Sequence, residues 1–189
     1  DAEQVILEDT KIIDNNYENL LKNRIILIND TISELTIDKV VMPLLQMDND
    51  GSGKKITIYV NTNGGSVYDG LVLCNVIENL KTETEVIVLG YAYSMGSIIL
   101  MSGKNNPKVT RKCYPFSTAL IHGGSAYVGG ISSQVKDYFK FNEKFEKRIA
   151  NFIVSHTNLS EDDYAAIERY EAYMDSDEML EKGLVDEII

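Results

Sequence analysis

Three short motifs hold the residues whose chemistry stands out, and each one follows an apolar, strand-like run. Ser94 lies in VLGYAYSMGS, Gly64 and Gly65 lie in YVNTNGGSV, and His122 lies in TALIHGG. A serine hydroxyl becomes a strong nucleophile when a neighbouring base removes its proton, and histidine is the most common base. Backbone N–H groups at a glycine-rich turn can stabilise an oxyanion. The three motifs together indicate acyl-transfer chemistry.

Ser94 has two interpretations that its own motif does not separate. It is suited to be the N-cap of the helix that follows, and equally to be a nucleophile at a strand-to-helix turn. The small neighbours Ala92, Gly96 and Ser97 let backbone and substrate approach closely. Met95 supplies the amide directly after the candidate nucleophile. The other motifs must decide between the two roles.

The search for a base is short because the chain has only two histidines. His122 ends an apolar strand and precedes a glycine pair, which favours a base at the site over an ordinary histidine at a strand end. His156 lies in VSHTN at a helix end, where contact with the helix dipole is a sufficient explanation. A base histidine also needs an acceptor on its second nitrogen. Composition and spacing do not choose that acid among 29 acidic residues.

The composition limits the class of protein. With 189 residues, 44% of them hydrophobic and 25% charged, residues 1–189 suit a single α/β domain. The net charge of −11 argues against nucleic-acid binding, and the lack of lysine-rich runs argues against anionic membranes. Cys74 and Cys113 lie in apolar surroundings, so free buried thiols in a cytoplasmic protein are favoured over a disulfide. No pattern of metal ligands or cofactor binding is seen.

The order of the predicted elements indicates a parallel sheet. Strands are predicted at 24–28, 56–61, 85–90 and 118–122, and helices at 36–47, 67–81, 131–153 and from near Ser160. Residues 1 to about 22 are predicted to form a polar arm. In βαβ folds, ligands bind at the carboxyl ends of the strands. Because the glycine pair, Ser94 and His122 all follow strands, we expect them to form one site.

The helix predicted at 131–153 carries an apolar seam along one face. This seam has a spacing of three and four residues and is interrupted only by Asn142. Such a seam commonly packs on another helix. It suits packing against the domain's own core, or projection as an arm against a neighbouring subunit. Its apolar members are Ile131, Val135, Tyr138, Phe145, Ile149 and Phe152.

Nearly the whole chain resembles the proteolytic subunit of Clp protease (ClpP). The family's NSPGG, ASMG and MIH motifs appear here in the same order as NTNGG, YSMG and LIH. Its HTG and YGLID appear as HTN and KGLVD, and its YSRLLKERIIFL resembles YENLLKNRIILI. From Gly65 onward one small insertion, near KNNPKVTRK, is needed. The motifs are specific because their order and spacing agree.

The resemblance implies a ClpP/crotonase-type fold of stacked βαβ units with a projecting handle at about 123–157. It implies a serine endopeptidase with Ser94 as nucleophile, His122 as base, and Gly65 and Met95 as donors of the oxyanion hole. HGGSAYVGG corresponds to the strand that pairs with the peptide substrate. The family forms stacked seven-membered rings, a tetradecamer, around a chamber that receives unfolded polypeptide. It implies no cofactor or metal in this chain, and ATP only through a partner AAA+ unfoldase.

The sequence also departs from the family pattern. Glu171 stands where the family has its catalytic aspartate, and it is one methylene longer. Tyr170 replaces an arginine that pairs across rings, and NTNGG lacks the proline of NSPGG. In the cleft that docks the ATPase, Tyr59 remains, whereas Thr57 and Lys112 replace residues that are usually aromatic. Looser motifs of this kind suit phage and prophage ClpP-like proteases that mature capsids.

Two further hypotheses belong to other functional classes. The first is a catalytically silent ClpP-like subunit that acts as a scaffold or ring partner, and the exchange at Glu171 supports it. The second is a crotonase-type acyl-CoA enzyme, because that fold shares the oxyanion arrangement. The pairing of Ser94 with His122 and the handle helix favour the protease over both.

Overall fold

The computed structural model describes residues 13–124, 129, 131–167 and 169–189. Within these ranges, strands and helices alternate through most of the chain. The strands are β1 Ile25–Ile28, β2 Ile56–Thr62, β3 Thr84–Tyr93, β4 Val109–Cys113, β5 Thr118–Ile121, β6 Ala172–Met174 and β7 Glu187–Ile188. The helices are α1 (residues 13–22), α2 Glu34–Thr36, α3 Met42–Asn49, α4 Val67–Glu78, α5 Met95–Met101, α6 Ser132–Ser155, α7 Glu161–Ile167 and α8 Ser176–Glu181.

The described strands form one sheet that is almost entirely parallel. Its order is β1-β2-β3-β4-β7, and β5 pairs in parallel with the later part of β3. Strand β6 is antiparallel to β5. The parallel α/β fold predicted from the sequence is therefore confirmed. Its consequence for function is that β2, β3 and β5 all end at one edge of the sheet.

The core lies between the sheet and the helices that connect its strands. In β2 every second residue is buried, as expected of a strand with one face on the core. Helix α4 buries one stripe, whereas nearly every residue of α5 is buried, because α5 lies between β2, β3 and α4. The deepest apolar side chains of β2, α4 and α5 include Ile56, Ile58, Val60, Leu73, Ile77, Ile99, Leu100 and Met101.

Most predicted elements are present, with changed boundaries. The helix predicted at 36–47 is a helical run from residue 34 to 49, in which a π-helical segment, Ile37–Val41, separates α2 from α3. The helix predicted near Ser160 begins at Glu161, and β6 and α8 follow it. Strands β4, β6 and β7 were not predicted. Of the predicted N-terminal arm, residues 13–22 form α1 and the rest lies outside the described residues.

Helix α6 packs on the body of the protein mainly through its C-terminal part. Ile153 is the one fully buried residue in this helix. Phe145 stacks on Tyr68 of α4, with ring centroids 5.4 Å apart. Nearer the N-terminal end, Phe139 and Phe141 are 56% and 54% exposed. Among the described residues, then, the helix contacts its own core at one end and presents apolar side chains to solvent at the other.

Candidate active site

Ser94 occupies a sharp turn between β3 and α5. Its φ of 54° and ψ of −120° lie in a region that residues with a side chain rarely adopt. The backbone is held there by its N–H, which donates to the carbonyl of Leu120 at 2.9 Å, and by its carbonyl, which accepts from the N–H of Ser97 at 3.0 Å. Ser94 has the N-cap position of α5, but its side chain makes no capping hydrogen bond. The hydroxyl is therefore available for another partner.

Glycines allow the chain to pass close to this turn. A Cβ on Gly64 would lie 2.7 Å from the Tyr93 carbonyl oxygen and 2.8 Å from Cβ of Ser94. A Cβ on Gly96 would lie 2.7 Å from the methyl group of Thr62. Because real Cβ atoms are not found at such distances, the glycines of NGG and SMG are required by packing of the two loops. Gly64 and Gly96, two of the small residues noticed in the sequence, thus have a steric explanation.

His122 is the partner of the Ser94 hydroxyl. The two side chains meet with Nε2 of His122 2.8 Å from Oγ of Ser94. The parallel register of β3 and β5 produces this meeting, since Tyr93 pairs with Leu120. A histidine two residues beyond Leu120 therefore lies beside the serine that follows Tyr93. The structure brings the predicted nucleophile and base into hydrogen-bond contact, and their catalytic roles remain a prediction.

The two amides predicted to bind an oxyanion lie on loops that approach each other. Gly65 forms a parallel bridge with Ile32, in which Ile32 donates to the Gly64 carbonyl at 2.8 Å and accepts from the Ser66 N–H at 2.8 Å. In such a bridge the N–H of Gly65 itself points away from Ile32. A Cβ on Gly64 would be 2.9 Å from the N of Met95. Neither the Gly65 nor the Met95 amide donates to an acceptor in the described ranges, so both are available to a ligand.

Glu171 is placed beside His122 by the sheet but contacts a different residue. Antiparallel strands β5 and β6 pair Ile121 with Ala172, so the next step of the register sets His122 opposite Glu171. The Glu171 carboxylate, however, accepts a hydrogen bond from the Tyr173 hydroxyl at 3.1 Å. It forms no hydrogen bond or ion pair with His122. Its role as the orienting acid remains a prediction.

His156, the second histidine, is enclosed in the body of the protein. Its Nδ1 lies 2.7 Å from the Phe152 carbonyl oxygen, and its Nε2 lies 3.0 Å from the Glu78 carboxylate. Its ring also stacks on that of Phe152 at a centroid distance of 3.8 Å. These contacts connect the end of α6 to α4, which agrees with the structural role predicted for this histidine.

The outer face of the sheet carries the substituted positions of the predicted ATPase cleft. Lys112 lies between two carboxylates, 2.9 Å from Glu85 and 3.1 Å from Glu187, and Lys55 also contacts Glu85 at 2.9 Å. These hydrogen bonds raise the pKa of Lys112 and lower that of Glu85. A network of charges therefore occupies part of the surface on which the sequence resemblance predicted the cleft.

The described part of the chain offers neither a metal centre nor a membrane-spanning helix. No group of three or more histidine, cysteine, aspartate or glutamate side chains there is arranged to hold a metal ion. Among the helices of the same ranges, none has both the length and the apolar character required to cross a membrane.

Tyr173, which contacts Glu171, is a residue near the site that the sequence analysis did not identify. The sequence held no usable signal for it, because strand β6 has only three residues and was not predicted.

Comparison with known proteins gives a consistent assignment. A family model described as Clp protease matches residues 8–189. The ATP-dependent Clp protease proteolytic subunit of Lactococcus lactis is 34% identical over 179 residues, covering 92% of this chain and 86% of the relative. The protein of the same name from Deinococcus radiodurans is 31% identical over 173 residues, covering 92% and 83%. That from Bacteroides fragilis is 30% identical over 173 residues, covering 92% and 82%.

Proposed function

The chain belongs to the Clp protease family and is a serine protease of the Clp type, and on this premise we propose that Ser94 and His122 cleave unfolded polypeptide. The observation that carries the proposal is the 2.8 Å contact between Oγ of Ser94 and Nε2 of His122. This distance is within the range required of a nucleophile and its base. The strained backbone at Ser94 adds support, since a serine nucleophile is commonly exposed on such a turn.

The proposed reaction follows from the positions of four groups. His122 accepts the proton of Ser94 as Oγ attacks the carbonyl carbon of the peptide. The N–H groups of Gly65 and Met95 donate to the oxyanion that forms. His122 then gives the proton to the leaving amine, and the peptide bond breaks to leave an acyl-enzyme. Water, activated by the same histidine, releases the acid product and restores Ser94.

Glu171 is proposed to complete the catalytic triad of Ser94 and His122 by accepting a hydrogen bond from Nδ1 of His122. The carboxylate would fix the tautomer of the ring and stabilise its charged form. Its position opposite His122 in the β5–β6 register supports this role. Replacing the carboxylate in Glu171→Gln should lower turnover strongly, and unchanged turnover would assign the role to another carboxylate.

The assembly is proposed to be a pair of stacked seven-membered rings in the cytoplasm. The exposed apolar side chains on the N-terminal part of α6 support an interface there, with α6 as the handle between rings. The chain itself is proposed to need no cofactor, and ATP would be used by an AAA+ unfoldase that feeds substrate. The charged network around Lys112 favours weaker docking of that unfoldase than an apolar cleft would give.

The decisive test labels the nucleophile. The purified protein is treated with a fluorophosphonate probe, and the adduct is located by mass spectrometry. We expect one adduct, at Ser94, and none in His122→Ala. His156→Gln is the matched control, because it changes the other histidine and should retain the label when folded. Absence of labelling in the assembled wild-type ring would contradict the proposal and favour the silent subunit.

A second measurement separates the remaining alternatives. Hydrolysis of a fluorogenic peptide and of a general unfolded protein such as casein is expected for a degradative protease. Cleavage confined to a capsid precursor would indicate the phage maturation enzyme. Hydrolysis of an acyl-CoA thioester without peptide cleavage would indicate crotonase-type chemistry.

A further inference from the structure

The hydrogen bond between Tyr173 and Glu171 removes the predicted acid from the predicted base. Oε2 of Glu171 accepts from the Tyr173 hydroxyl at 3.1 Å. No ring nitrogen of His122 lies within hydrogen-bond or ion-pair distance of that carboxylate, although the strand register sets the two residues opposite each other. Tyr173 and Glu171 are two residues apart on β6, so their side chains share one face. The Tyr173 hydroxyl and the His122 ring are therefore both neighbours of the Glu171 carboxylate.

Tyr173 is held in position by neighbours on two other strands. Its ring meets the ring of Tyr93 edge to face, with centroids 5.9 Å apart and planes at 89°. The Tyr93 hydroxyl in turn lies 3.0 Å from the hydroxyl of Thr118. The register supports this arrangement, because Leu120 pairs with Tyr93 on one side and with Tyr173 on the other. The ring of Tyr173, which is 59% exposed, is thus oriented by its contact with Tyr93 so that its hydroxyl reaches Glu171.

The electrostatics of the pair agree with a hydroxyl that donates to the Glu171 side chain. The hydrogen bond to Glu171 raises the pKa of Tyr173, because a neighbouring carboxylate disfavours the phenolate. Glu171 is exposed and has one methylene more than aspartate, so its carboxylate is able to turn between two donors. While it accepts from Tyr173, Nδ1 of His122 has no acceptor in the described ranges.

We infer that Tyr173 is a positioning residue that competes with His122 for the Glu171 carboxylate. In the conformation described, the Glu171 carboxylate accepts a hydrogen bond from Tyr173, so His122 lacks the acceptor that would orient its ring. Turnover requires the carboxylate to move to Nδ1 of His122. This inference rests on the proposed function, since it assigns Glu171 and His122 their catalytic roles.

Tyr173→Phe tests the competition. The substitution keeps the ring and its contact with Tyr93 but removes the donor to Glu171. We expect kcat for a fluorogenic peptide to rise about threefold to tenfold, because Glu171 then orients His122 in a larger fraction of the molecules. KM should be unchanged, because no substrate contact is altered. The rate of fluorophosphonate labelling at Ser94 should rise by the same factor.

Two further variants make the test specific. Tyr91→Phe is the matched control, since Tyr91 also contacts the ring of Tyr93, and its hydroxyl makes no hydrogen bond in the described ranges. Its kcat should equal that of the wild type. In a Glu171→Ala background, Tyr173→Phe should have no effect on kcat, because the side-chain acceptor for which the two donors compete is absent.

A spectroscopic measurement reports the contact itself. With two histidines in the chain, the imidazole resonances of isotopically labelled protein are readily assigned using His156→Gln. In Tyr173→Phe we expect the Nδ1 proton of His122 to move downfield, as it does when a carboxylate accepts it. No merely structural role of Tyr173 would produce that shift.

The outcomes separate this inference from the proposed function. Absence of any Ser94 labelling in the wild type overturns the proposed function. Normal labelling with an unchanged or lower kcat in Tyr173→Phe overturns the inference alone, and a lower kcat would show that the hydroxyl supports the acid. An increase in kcat that persists with Glu171→Ala also overturns it, because the hydroxyl would then act by another route.

Discussion

The backbone of Ser94 is the most unusual single-residue feature of the site. A φ of 54° in a residue with a side chain costs about 1–3 kcal/mol and persists only when its surroundings enforce it. The enforcing contacts are the hydrogen bonds to Leu120 and Ser97 and the glycine loop that lies against Cβ of Ser94. The orientation of the hydroxyl thus depends on the loop as much as on the serine.

Gly64→Ala should therefore inactivate the enzyme without unfolding it. Its new Cβ would collide with the Tyr93 carbonyl and with Cβ of Ser94, so the loop and the turn must separate. We expect kcat/KM for a short peptide to fall about 100-fold or more. Gly51→Ala is the control, since Gly51 also has a positive φ, of 75°, but no atom lies within 4 Å of its Cβ position. Equal losses in both variants would contradict the steric explanation.

The two cysteines should be unreactive in the native protein. Burial raises the pKa of the Cys74 thiol to about 12 and that of Cys113 to about 11. Because a thiolate forms only as the pH approaches the pKa, a raised pKa lowers the reactive fraction at pH 8 to about one part in a thousand or less. Intact mass after iodoacetamide should show no adduct in buffer and two in urea. Rapid native alkylation would show that these positions open to solvent.

At the scale of elements, a buried arginine connects β4 to the C-terminal segment. Arg111 is 1% exposed, and its guanidinium donates to the Asp186 carboxylate and to the Gly183 carbonyl at 2.9 Å. Its backbone N–H also donates to Asp186 at 2.8 Å. The Asp186 carboxylate therefore accepts hydrogen bonds from both the backbone N–H and the guanidinium of Arg111.

Asp186→Ala should destabilise the fold substantially, because it leaves a buried cation without its partner. We expect the free energy of unfolding to fall by about 2–4 kcal/mol, somewhat below the range for fully buried pairs because Asp186 is partly exposed. Glu187→Ala is the control, since its contact with Lys112 is at the surface and should contribute about 1 kcal/mol or less. Urea unfolding measures the free energy of unfolding of both variants. Similar losses would contradict the distinction between the buried and the surface ion pair.

The same arginine explains why β4 could not be predicted from the sequence. In Val109–Cys113 every second residue is buried, as in β2, but the central buried position is Arg111. A hydrophobicity pattern counts that position as polar, so the alternation is hidden. Strands β6 and β7 have three and two residues, too few for any periodicity. The longer strands β2 and β3, in contrast, were predicted from their apolar, β-branched runs of residues.

The site was predictable to the extent that it depends on backbone register. Ser94, His122 and the glycine pair follow strands that end at one edge, and this placement could be read from the motifs. The acid required the family resemblance, because nothing local distinguishes Glu171 from other carboxylates. Its contact with Tyr173 could not be predicted, since it is a choice of side-chain rotamer between two nearby donors.

At the scale of the whole molecule, α6 should determine the assembly. Tyr138 lies on the half-buried seam of α6, and a charge there would be placed within the proposed ring–ring interface. We expect Tyr138→Glu to convert double rings into single rings, halving a mass of about 300 kDa expected for 14 copies of a 21.2 kDa chain. Mass photometry makes the measurement.

Ser133→Glu provides the matched control for this prediction. Ser133 is exposed on the opposite face of α6, and the substitution adds the same charge. It should leave the double ring intact. Dissociation in both variants would indicate a general effect of charge, and an intact double ring in Tyr138→Glu would place the interface elsewhere.

The bridge between Ile32 and Gly65 has a consequence for the order in which the enzyme becomes competent. The loop that presents the Gly65 amide is secured by Ile32, which is synthesised earlier, so the partner of the loop is already available when the loop leaves the ribosome. The serine comes next, and its base follows 28 residues later. The strand that carries Glu171 is made after all three. The proposed catalytic residues therefore cannot come together before residue 171 has been synthesised, and we expect no peptide cleavage by a shorter nascent chain.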